Sequence, residues 1–277
     1  IEVLEKYESE AELAQALKGV QALIVRSDKV GAQTIAQADD LKIIVRAGAG
    51  YDNIDLEAAT KAGVVVMNTP GQNANAVAEL AIGLMIYMAR NQFNPSTGSE
   101  IAGKTLGIQG FGNVGSLIAA KALALGMKVR AFDPVKSDEE MLVRGVEPTS
   151  SVKTLYADCD YISLNLPLVT VTERSVGYDL LSAMPKGGVL INTARKEIVD
   201  ESGLERALEE RSDIKYASDV APDNYAALRE KFGLRVYANS KKMGAQTAEA
   251  NLNAGLAAAR QIVDYFETGN VKFQVNK

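Results

Sequence analysis

The chain of 277 residues contains no histidine, and its only cysteine is Cys159. A lone cysteine excludes an internal disulfide framework and any metal site built from several cysteines, so no metal site is predicted. It also fits a protein of the reducing cytoplasm. Because histidine is the usual side chain for proton transfer near neutral pH, any such step in this protein must use another group.

Long apolar runs and a strong net charge are also absent. The longest apolar run, from Ala74 to Ala89, contains Glu79 and is too short to span a bilayer. The first residues do not have the pattern of a signal peptide. The net charge of −5 argues against nucleic acid or an anionic membrane as a bulk partner. The composition, 47% hydrophobic and 23% charged, predicts a soluble globular protein, and the length allows two domains.

Apolar strand-like runs alternate with helical patterns along the chain, which predicts an α/β protein with parallel sheets. Residues 91–99 are polar with Pro and Gly and are predicted to form a loop. The predicted strands are 22–26, 42–46, 64–68, 106–109, 127–132, 161–166, 188–192, 215–220 and 236–239. The predicted helices are 11–17, 32–38, 73–90, 116–125, 152–157, 178–183, 201–210, 225–231 and 248–266.

The most informative segment is 105–133, KTLGIQGFGNVGSLIAAKALALGMKVRAFD. It has a strand, a glycine turn, a helix and a second strand that ends on Asp133. Gly110 permits the tight turn, Gly112 lets a pyrophosphate approach the backbone, and Gly115 lets helix and strand pack closely. The phosphates would bind at the helix start, and Asp133 would bind the adenosine ribose and repel a 2′-phosphate, which favours NAD over NADP. A purely structural glycine turn would leave the acid at that strand end unexplained.

The long helical pattern at 248–266 follows the last predicted strand and can cross back to the first part of the chain. We therefore predict a discontinuous substrate-binding domain at 1–72 and 247–277, and a continuous NAD-binding domain at 73–246. Two such domains are expected to form a ligand cleft.

Five further motifs occur in order along nearly the whole chain, and with them the chain resembles the D-2-hydroxyacid dehydrogenases, most of all the D-3-phosphoglycerate dehydrogenases. The resemblance implies a doubly wound Rossmann nucleotide domain with a flavodoxin-like substrate domain. It also implies oxidation of 3-phosphoglycerate at C2 by NAD, which begins serine biosynthesis. The motifs are VRAGAGYDNIDLEAA (45–59), VMNTPGQNANAVAELAIGLM (66–85), NTARKEIVDE (192–201), SDVAPDN (218–224) and KKMGAQTAEAN (241–251).

The catalytic set of the family is an arginine, a glutamate and a histidine. The resemblance places the arginine at Arg195, whose planar fork would hold the substrate carboxylate and the forming carbonyl. The position of the histidine is occupied by Lys242, and that of the glutamate by Asn224. Lys241 is an alternative acid/base, because a shift of one residue would exchange the two lysines. The alternative for both lysines is that they are solvated loop charges.

The two departures are consistent with each other. A lysine that acts as a base must be neutral, so its pKa must fall from the usual value of about 10.4. A neighbouring carboxylate would raise that pKa, whereas burial and a neighbouring cation would lower it. Asn224 removes a negative charge, and Arg195 and the nicotinamide supply positive charge. We therefore expect Lys242 to be the acid/base, with Arg195 and Asn224 beside it.

Arg26 and Arg46 each end a predicted strand, and strand carboxyl ends face the ligand crevice of an open α/β sheet. The resemblance matches both to arginines that bind the substrate phosphate. A surface salt bridge would explain either one alone, but two at equivalent strand ends beside a glycine loop favour a phosphate. The loop backbone can approach the substrate carboxylate because its glycines carry no side chain. The loop residues are Ala47, Gly48, Ala49 and Gly50.

Further contacts to NAD are implied by position in the family motifs, at the helix start, at strand ends and on loops. Asp219 is expected to hydrogen-bond the nicotinamide amide. Asn165 often has a histidine counterpart in the family. The residues are Asn113, Val114, Pro134, Asn165, Pro167, Thr172, Thr193, Ala194, Arg195, Asp219 and Gly244.

Other features qualify the resemblance. Lys196 stands where the family commonly has glycine, which adds local positive charge. The first strand and helix of the family's substrate domain are not visible before Ile1, and no extension follows the final helix, so regulation by serine of the kind found in longer relatives is not expected. The family usually dimerises, and we expect a homodimer. Two other functions remain open: a dehydrogenase for another small 2-hydroxyacid, and a nucleotide-sensing binding protein that has lost catalysis.

Overall fold

The computed structural model describes residues 2–277, so Ile1, the first residue of the predicted substrate domain, lies outside the described part. The chain divides into two compact units. The first unit ends at Asn73 and resumes from Thr247 to Lys277, and the second is Ala74–Gln246. Among residues 2–277, no helix combines the length and the apolar character that a membrane span requires.

Strands and helices alternate along the chain. The strands are β1 (Ala22–Val25), β2 (Ile43–Arg46), β3 (Val65–Asn68), β4 (Thr105–Gln109), β5 (Lys128–Phe132), β6 (Glu147–Pro148), β7 (Tyr161–Leu164), β8 (Val189–Asn192), β9 (Lys215–Ser218) and β10 (Val236–Ala238). The helices are α1 (Glu10–Ala16), α2 (Ala32–Gln37), α3 (Leu56–Lys61), α4 (Ala74–Ala89), α5 (Asn113–Ala124), α6 (Asp138–Leu142), α7 (Val152–Asp158), α8 (Tyr178–Ser182), α9 (Glu201–Glu210), α10 (Tyr225–Phe232) and α11 (Ala248–Thr268).

The first unit contains a parallel sheet with the order β1-β2-β3. Its central strand β2 is a run of Ile and Val whose side chains are buried on both faces, which is the pattern of a strand covered on each side. Ala254 and Ala258 of α11 are fully buried against one face. Because alanine is small, α11 can lie close to the sheet there. Because its three strands are parallel, the sheet presents their carboxyl ends, including Arg46 at the end of β2, on one edge.

The second unit contains a seven-stranded parallel sheet with the order β10-β9-β8-β7-β4-β5-β6. The chain passes from β4 to β5 and β6 on one side, and then returns to place β7 on the other side of β4. The strand order therefore reverses at β4. In an open α/β sheet, ligands bind beside the carboxyl ends of the strands at such a reversal. The predicted α/β class with parallel sheets is confirmed.

Separate hydrophobic cores lie on the two faces of this sheet. One core contains the buried side of α4, with Met85 and Met88, and the inner face of α5. The other contains Tyr156 of α7, Cys159 and Tyr216 of β9. Burial raises the pKa of the Cys159 thiol to about 12. The protonated thiol behaves as a small apolar group in this core.

The structure adds three short elements that the apolar pattern did not predict: α3, α6 and β6. Helix α3 begins at the N-cap Asp55, which accepts a hydrogen bond from the Ala58 N–H. Helix α6 begins with a capping box formed by Ser137 and Glu140. The sequence analysis identified no helical pattern in these two segments, and their caps stabilise their first turns.

Candidate active site

The glycine turn after β4 is tight at Gly110 and Gly115 and open at Gly112. Gly110 has φ +92°, and a Cβ there would lie 2.6 Å from the Asn165 carbonyl oxygen. A Cβ on Gly115 would lie 2.1 Å from the Gly110 carbonyl oxygen. Gly112 is the N-cap of α5, and no atom lies within 4 Å of an added Cβ there. A glycine N-cap leaves the first N–H groups of α5, which begins with Asn113 and Val114, to bind an anion.

Asp133 follows β5 and ties the glycine turn to the end of that strand. Its Oδ2 accepts a hydrogen bond from the Phe111 N–H at 2.7 Å, and its Oδ1 accepts one from the Val135 N–H at 2.9 Å. A carboxylate offers about four acceptor positions, so two remain for ribose hydroxyls. The side chain predicted to read the ribose is therefore already oriented by the backbone on both sides.

A cavity of about 670 Å³ opens beside this strand end. Phe132, Pro134, Leu166 and Thr172 contribute to its wall. The Thr172 hydroxyl donates to the Pro167 carbonyl oxygen at 2.6 Å, which holds the loop after β7 in shape. The cavity lies between the end of β5 and that loop. Its apolar residues suit the flat adenine ring of a dinucleotide, and charged residues such as Arg174 and Asp200 line other parts of the wall.

Asn165, at the start of the same loop, lies close to the strand it follows. Its Nδ2 donates to the carbonyl oxygen of Ser163 at 3.0 Å. The Asn165 carbonyl oxygen lies beside Gly110, as described above. Asn165 therefore shapes the turn on which the pyrophosphate would lie.

Arg195 lies in a turn after β8 that is closed by Asn192. The Asn192 side chain accepts from the Ala194 N–H at 3.0 Å and donates to the Arg195 carbonyl oxygen at 2.9 Å. The Arg195 Nη1 donates to the Ala194 carbonyl oxygen at 3.1 Å. Thr193 is buried, and its hydroxyl has no hydrogen-bond partner. A buried hydroxyl without a partner is uncommon in folded proteins. The Thr193 hydroxyl is therefore available to hydrogen-bond a ligand at this turn.

Asp219 follows β9 and anchors the loop that carries the two lysines. It is 1% exposed, and its carboxylate accepts hydrogen bonds from the Met243 N–H at 2.9 Å and from the Gly244 N–H at 3.0 Å. Lys241 and Lys242 are exposed on the same loop. A third bond comes from the Asn239 Nδ2 at 3.0 Å. One acceptor position of the carboxylate remains for the predicted nicotinamide contact.

Asn224 is the N-cap of α10, and its Oδ1 is buried without a hydrogen-bond partner. The backbone here is held by Glu201, which accepts from the Asp223 N–H at 2.8 Å and from the Asn224 N–H at 3.3 Å. Lys196 forms an ion pair with Asp223, and this bond raises the pKa of the Lys196 ammonium. Glu201 therefore connects the Arg195 turn, through the start of α9, to the segment that carries Asn224.

The predicted phosphate-binding residues lie in the first unit, and the structure brings them together at one loop. Arg26 Nη1 lies 3.4 Å from the Ala47 carbonyl oxygen. The Arg46 guanidinium lies over Gly48, where an added Cβ would be 1.4 Å from Nη1. The Asn68 Nδ2 donates to the Ala49 carbonyl oxygen at 2.6 Å and fixes the outer part of the loop, which Gly50 ends.

Sequence reasoning missed Asn192, Glu201 and Asn239. Asn192 hydrogen-bonds the backbone of the turn that follows it, whereas Glu201 and Asn239 bond groups that are 20 or more residues away in the chain. Asn192 and Asn239 could have been suspected, because both are polar residues at the carboxyl ends of apolar strands. Glu201 lies in the first turn of a predicted helix, where acidic residues are common, so its sequence position gives no sign of a further role.

The family model for the NAD-binding domain of D-isomer specific 2-hydroxyacid dehydrogenases matches residues 81–232, which is more than half of the chain. The chain belongs to this family. This dehydrogenase therefore uses NAD, and the glycine turn, the N-cap of α5 and the partnerless Thr193 hydroxyl fit that cofactor.

Known relatives of this dehydrogenase are enzymes with different activities. An NAD+-bound 3-phosphoglycerate dehydrogenase from Entamoeba histolytica is 46% identical, with a TM-score of 0.91 over 99% of this chain and 88% of that one. A hydroxypyruvate reductase from Thermotoga maritima is 36% identical over 95% of this chain and 90% of its own length. A D-3-phosphoglycerate dehydrogenase from Methanocaldococcus jannaschii is 36% identical, and this chain spans 51% of its length.

Proposed function

We propose that this dehydrogenase oxidises 3-phosphoglycerate to 3-phosphohydroxypyruvate, the first step of serine biosynthesis, as a homodimer in the cytoplasm. The observation that supports this substrate is that the guanidinium groups of Arg26 and Arg46 both lie against the Ala47–Gly48 backbone. Two guanidinium groups at one loop suit a dianionic phosphate, because each offers several N–H donors in a plane. A substrate without a phosphate has no use for this pair.

Arg195 is proposed to bind the substrate carboxylate and the C2 oxygen. Its backbone turn is fixed by Asn192 at both ends, so the origin of the side chain is rigid. As C2 is oxidised, its oxygen changes from an alcohol to a carbonyl, and the fixed cation stabilises the negative charge that develops on it. The bound NAD supplies the acceptor for the hydride that leaves C2.

Lys242 is proposed to take the proton of the C2 hydroxyl onto its Nζ, with Lys241 as the alternative. A lysine can accept this proton only while it is uncharged. Asn224, which stands at the position of the family's glutamate, supports such a role because an amide carries no negative charge that would raise the pKa of the amine. The carboxylate of Asp223, the residue before Asn224, forms an ion pair with Lys196. Anchoring of the adjacent Met243 and Gly244 N–H groups by Asp219 supports a fixed loop.

The substrate proposal is tested by comparing 3-phosphoglycerate with glycerate and with hydroxypyruvate in the reverse direction. We expect Arg26→Ala and Arg46→Ala to raise KM for 3-phosphoglycerate at least about tenfold, because charged hydrogen bonds are lost, and to leave the phosphate-free substrates little affected. Arg260→Ala, on the exposed side of α11 in the same unit, is the matched control.

Reduction of hydroxypyruvate is the second candidate function, since the Thermotoga maritima enzyme of that name matches over 90% of its length. Equal use of phosphorylated and phosphate-free substrates by the wild type would favour it and exclude the phosphate role. Absence of NADH formation with every 2-hydroxyacid would instead favour a nucleotide-sensing protein. Light scattering checks the homodimer against the chain mass of 29.6 kDa.

The proton-transfer proposal is tested with Lys242→Ala, Lys242→Arg and Lys241→Ala. We expect both changes at Lys242 to lower kcat by about 10²–10⁴-fold, since an alanine has no base and an arginine stays protonated. Lys241→Ala is expected to keep most of the activity. Near-normal turnover of either Lys242 variant would refute the assignment, and loss confined to Lys241→Ala would move it by one residue.

A further inference from the structure

Asn239 lies directly after β10, at the place where the parallel register with β9 brings it beside Asp219. Ala238 is opposite Ser218 in that register, and the Asn239 N–H donates to the Ser218 carbonyl oxygen at 3.1 Å. The next residues of both strands are therefore neighbours. Their side chains meet in a buried hydrogen bond of 3.0 Å from Asn239 Nδ2 to Asp219 Oδ1.

The bond belongs to a chain of hydrogen bonds with one possible direction. An ionised carboxylate only accepts, so the amide nitrogen of Asn239 must face Asp219. The amide oxygen then needs a donor on its other side, and the Tyr237 hydroxyl donates to it at 2.9 Å. Tyr237 is itself held by an edge-to-face contact with Tyr87, with ring centroids 4.9 Å apart. The hydroxyl thus fixes which way the amide points.

The other end of this series of hydrogen bonds, the Asp219 carboxylate, contacts the loop that carries Lys242. The carboxylate of Asp219 accepts from the N–H groups of Met243 and Gly244, which are the two residues after Lys242. The same oxygen, Oδ1, takes the bonds from both Asn239 and Met243. Rotation of the carboxylate would therefore move or release the residue next to the lysine. Asn239 is 7% exposed, so water does not readily replace its amide.

We infer that Asn239 is a positioning residue of the reaction: with Tyr237 behind it, it fixes the carboxylate of Asp219 and so places Lys242 for proton transfer. The inference rests on the proposed role of Lys242. It assigns to Asp219 a task besides the predicted nicotinamide contact. The two tasks differ in consequence, because a loosened lysine loop slows the chemical step, whereas a lost nicotinamide contact weakens NAD binding.

The test uses Asn239→Ala, Tyr237→Phe and the double variant in steady-state assays with 3-phosphoglycerate and NAD. We expect Asn239→Ala to lower kcat by about tenfold or more, since small displacements of reacting groups are costly, with KM for NAD changed less than about twofold. Tyr237→Phe keeps its ring and should lose less. The double variant should equal Asn239→Ala, because residues that act as a unit are not additive.

Tyr156→Phe is the matched control. It removes a tyrosine hydroxyl that, like that of Tyr237, donates to an amide oxygen in the same unit: the fully buried Tyr156 donates to Gln109 Oε1 at 2.9 Å. A general loss of stability would affect both tyrosine variants equally, and a positioning role would lower kcat only in Tyr237→Phe. Tyr237→Phe also provides the kinetic readout if Asn239→Ala fails to fold.

Several results would overturn the inference: an unchanged kcat in Asn239→Ala, a loss that falls on KM for NAD alone, or single-variant losses that multiply. Hydrogen exchange of the Met243 and Gly244 amides gives a readout without turnover. Both amides should exchange faster in Asn239→Ala, and unchanged exchange would also overturn the inference. If wild type fails to oxidise 3-phosphoglycerate while exchange responds as expected, the proposed function is wrong but the control of the loop by Asn239 stands.

Discussion

At the scale of single residues, several glycines of this protein leave room for neighbouring backbone or side-chain groups. Gly115 lies against the backbone of Gly110, and Gly48 lies beneath the Arg46 guanidinium. Gly244 is a third case. A Cβ there would lie 2.8 Å from Asp219 Oδ2, and this same oxygen accepts the hydrogen bond of the Gly244 N–H. Side chains at these positions would displace a functional group without removing it.

Gly244→Ala should therefore reduce turnover although it removes no polar group. The added methyl must push the Asp219 carboxylate or the loop by several tenths of an ångström, and we expect kcat to fall about tenfold or more. Steady-state kinetics and thermal unfolding measure this. Gly255→Ala in α11, where an added Cβ meets no atom within 4 Å, should keep full activity and gain up to about 1 kcal/mol of stability. Wild-type kcat in Gly244→Ala would contradict the close contact.

At this scale, the sequence indicates residues that either match a motif or depart from it at a key position. The absence of histidine drew attention to Lys242, and the glycine spacing drew attention to Asp133. Asn192 and Asn239 were not found, because an asparagine shows its importance only through the groups it contacts. Asp219 was expected to face nicotinamide, whereas its bonds to Met243 and Gly244 depend on a loop whose shape no pattern predicts.

At the scale of elements, Arg211 joins α8 to the start of β9. It makes a two-pronged ion pair with Asp213, at 2.9 Å and 2.6 Å, and its Nη1 donates to the carbonyl oxygens of Ser182 and Met184. Asp213 also accepts from the Gly187 N–H at 2.7 Å. The Arg211 guanidinium is the main cause of a pKa of Asp213 well below its usual range.

This pair predicts an acid-dependent loss of stability. The folded pKa of Asp213 lies below the unfolded value, so the stabilisation is complete above about pH 4 and is lost as the pH falls further. Asp213→Asn should lower the free energy of unfolding by about 1–2 kcal/mol at pH 7, and less on acidification. Urea denaturation at several pH values measures this.

Glu57→Gln is the control for that experiment, because Glu57 pairs with Lys61 on an exposed helix surface. Such pairs contribute little, so we expect a change below about 1 kcal/mol at any pH. A difference between Asp213→Asn and wild type that stays constant down to about pH 2 would contradict the assignment to ionisation.

Most elements were predictable, because a continuous Val- and Ile-rich run such as β2 indicates a buried strand. The failures have local causes. Strand β6 is two residues long and leaves no pattern. The segment Asn91–Phe93, predicted as loop, holds three consecutive non-glycine residues at φ values of +49° to +58°. Such conformations require support, and Gln92 receives it through Nε2 bonds to the carbonyl oxygens of Leu234 and Val236, which are distant in sequence.

At the scale of the whole molecule, alternation along the chain predicts the α/β class, and the glycine motif predicts the place of the nucleotide site. The reversal of strand order at β4, seen only in the structure, agrees with that prediction. The proposed identity of the substrate depends on a few side chains such as Arg26 and Arg46. The fold is predictable because many apolar and helical patterns along the chain agree with one another. The site depends on few residues, and the role of each needs its own experiment.

Cofactor binding should stabilise the folded protein as a whole. At NAD concentrations about 100 times Kd, mass action adds about 2.7 kcal/mol and raises Tm. NADP should raise it less, because the carboxylate of Asp133 repels a 2′-phosphate. Differential scanning fluorimetry with each nucleotide measures this, and Asp133→Ala should narrow the difference between them. Equal shifts with NAD and NADP in wild type would contradict the role of Asp133.

Cys159 is fully buried, and burial raises the pKa of its thiol to about 12. Maleimide reagents attack thiolates, so the native protein should remain unmodified. Met243 is 50% exposed, and only its backbone N–H takes part in the bond to Asp219. A Met243→Cys variant would then carry one reactive thiol beside Lys242, and a fluorophore attached there could report in real time how the loop responds when nucleotide arrives.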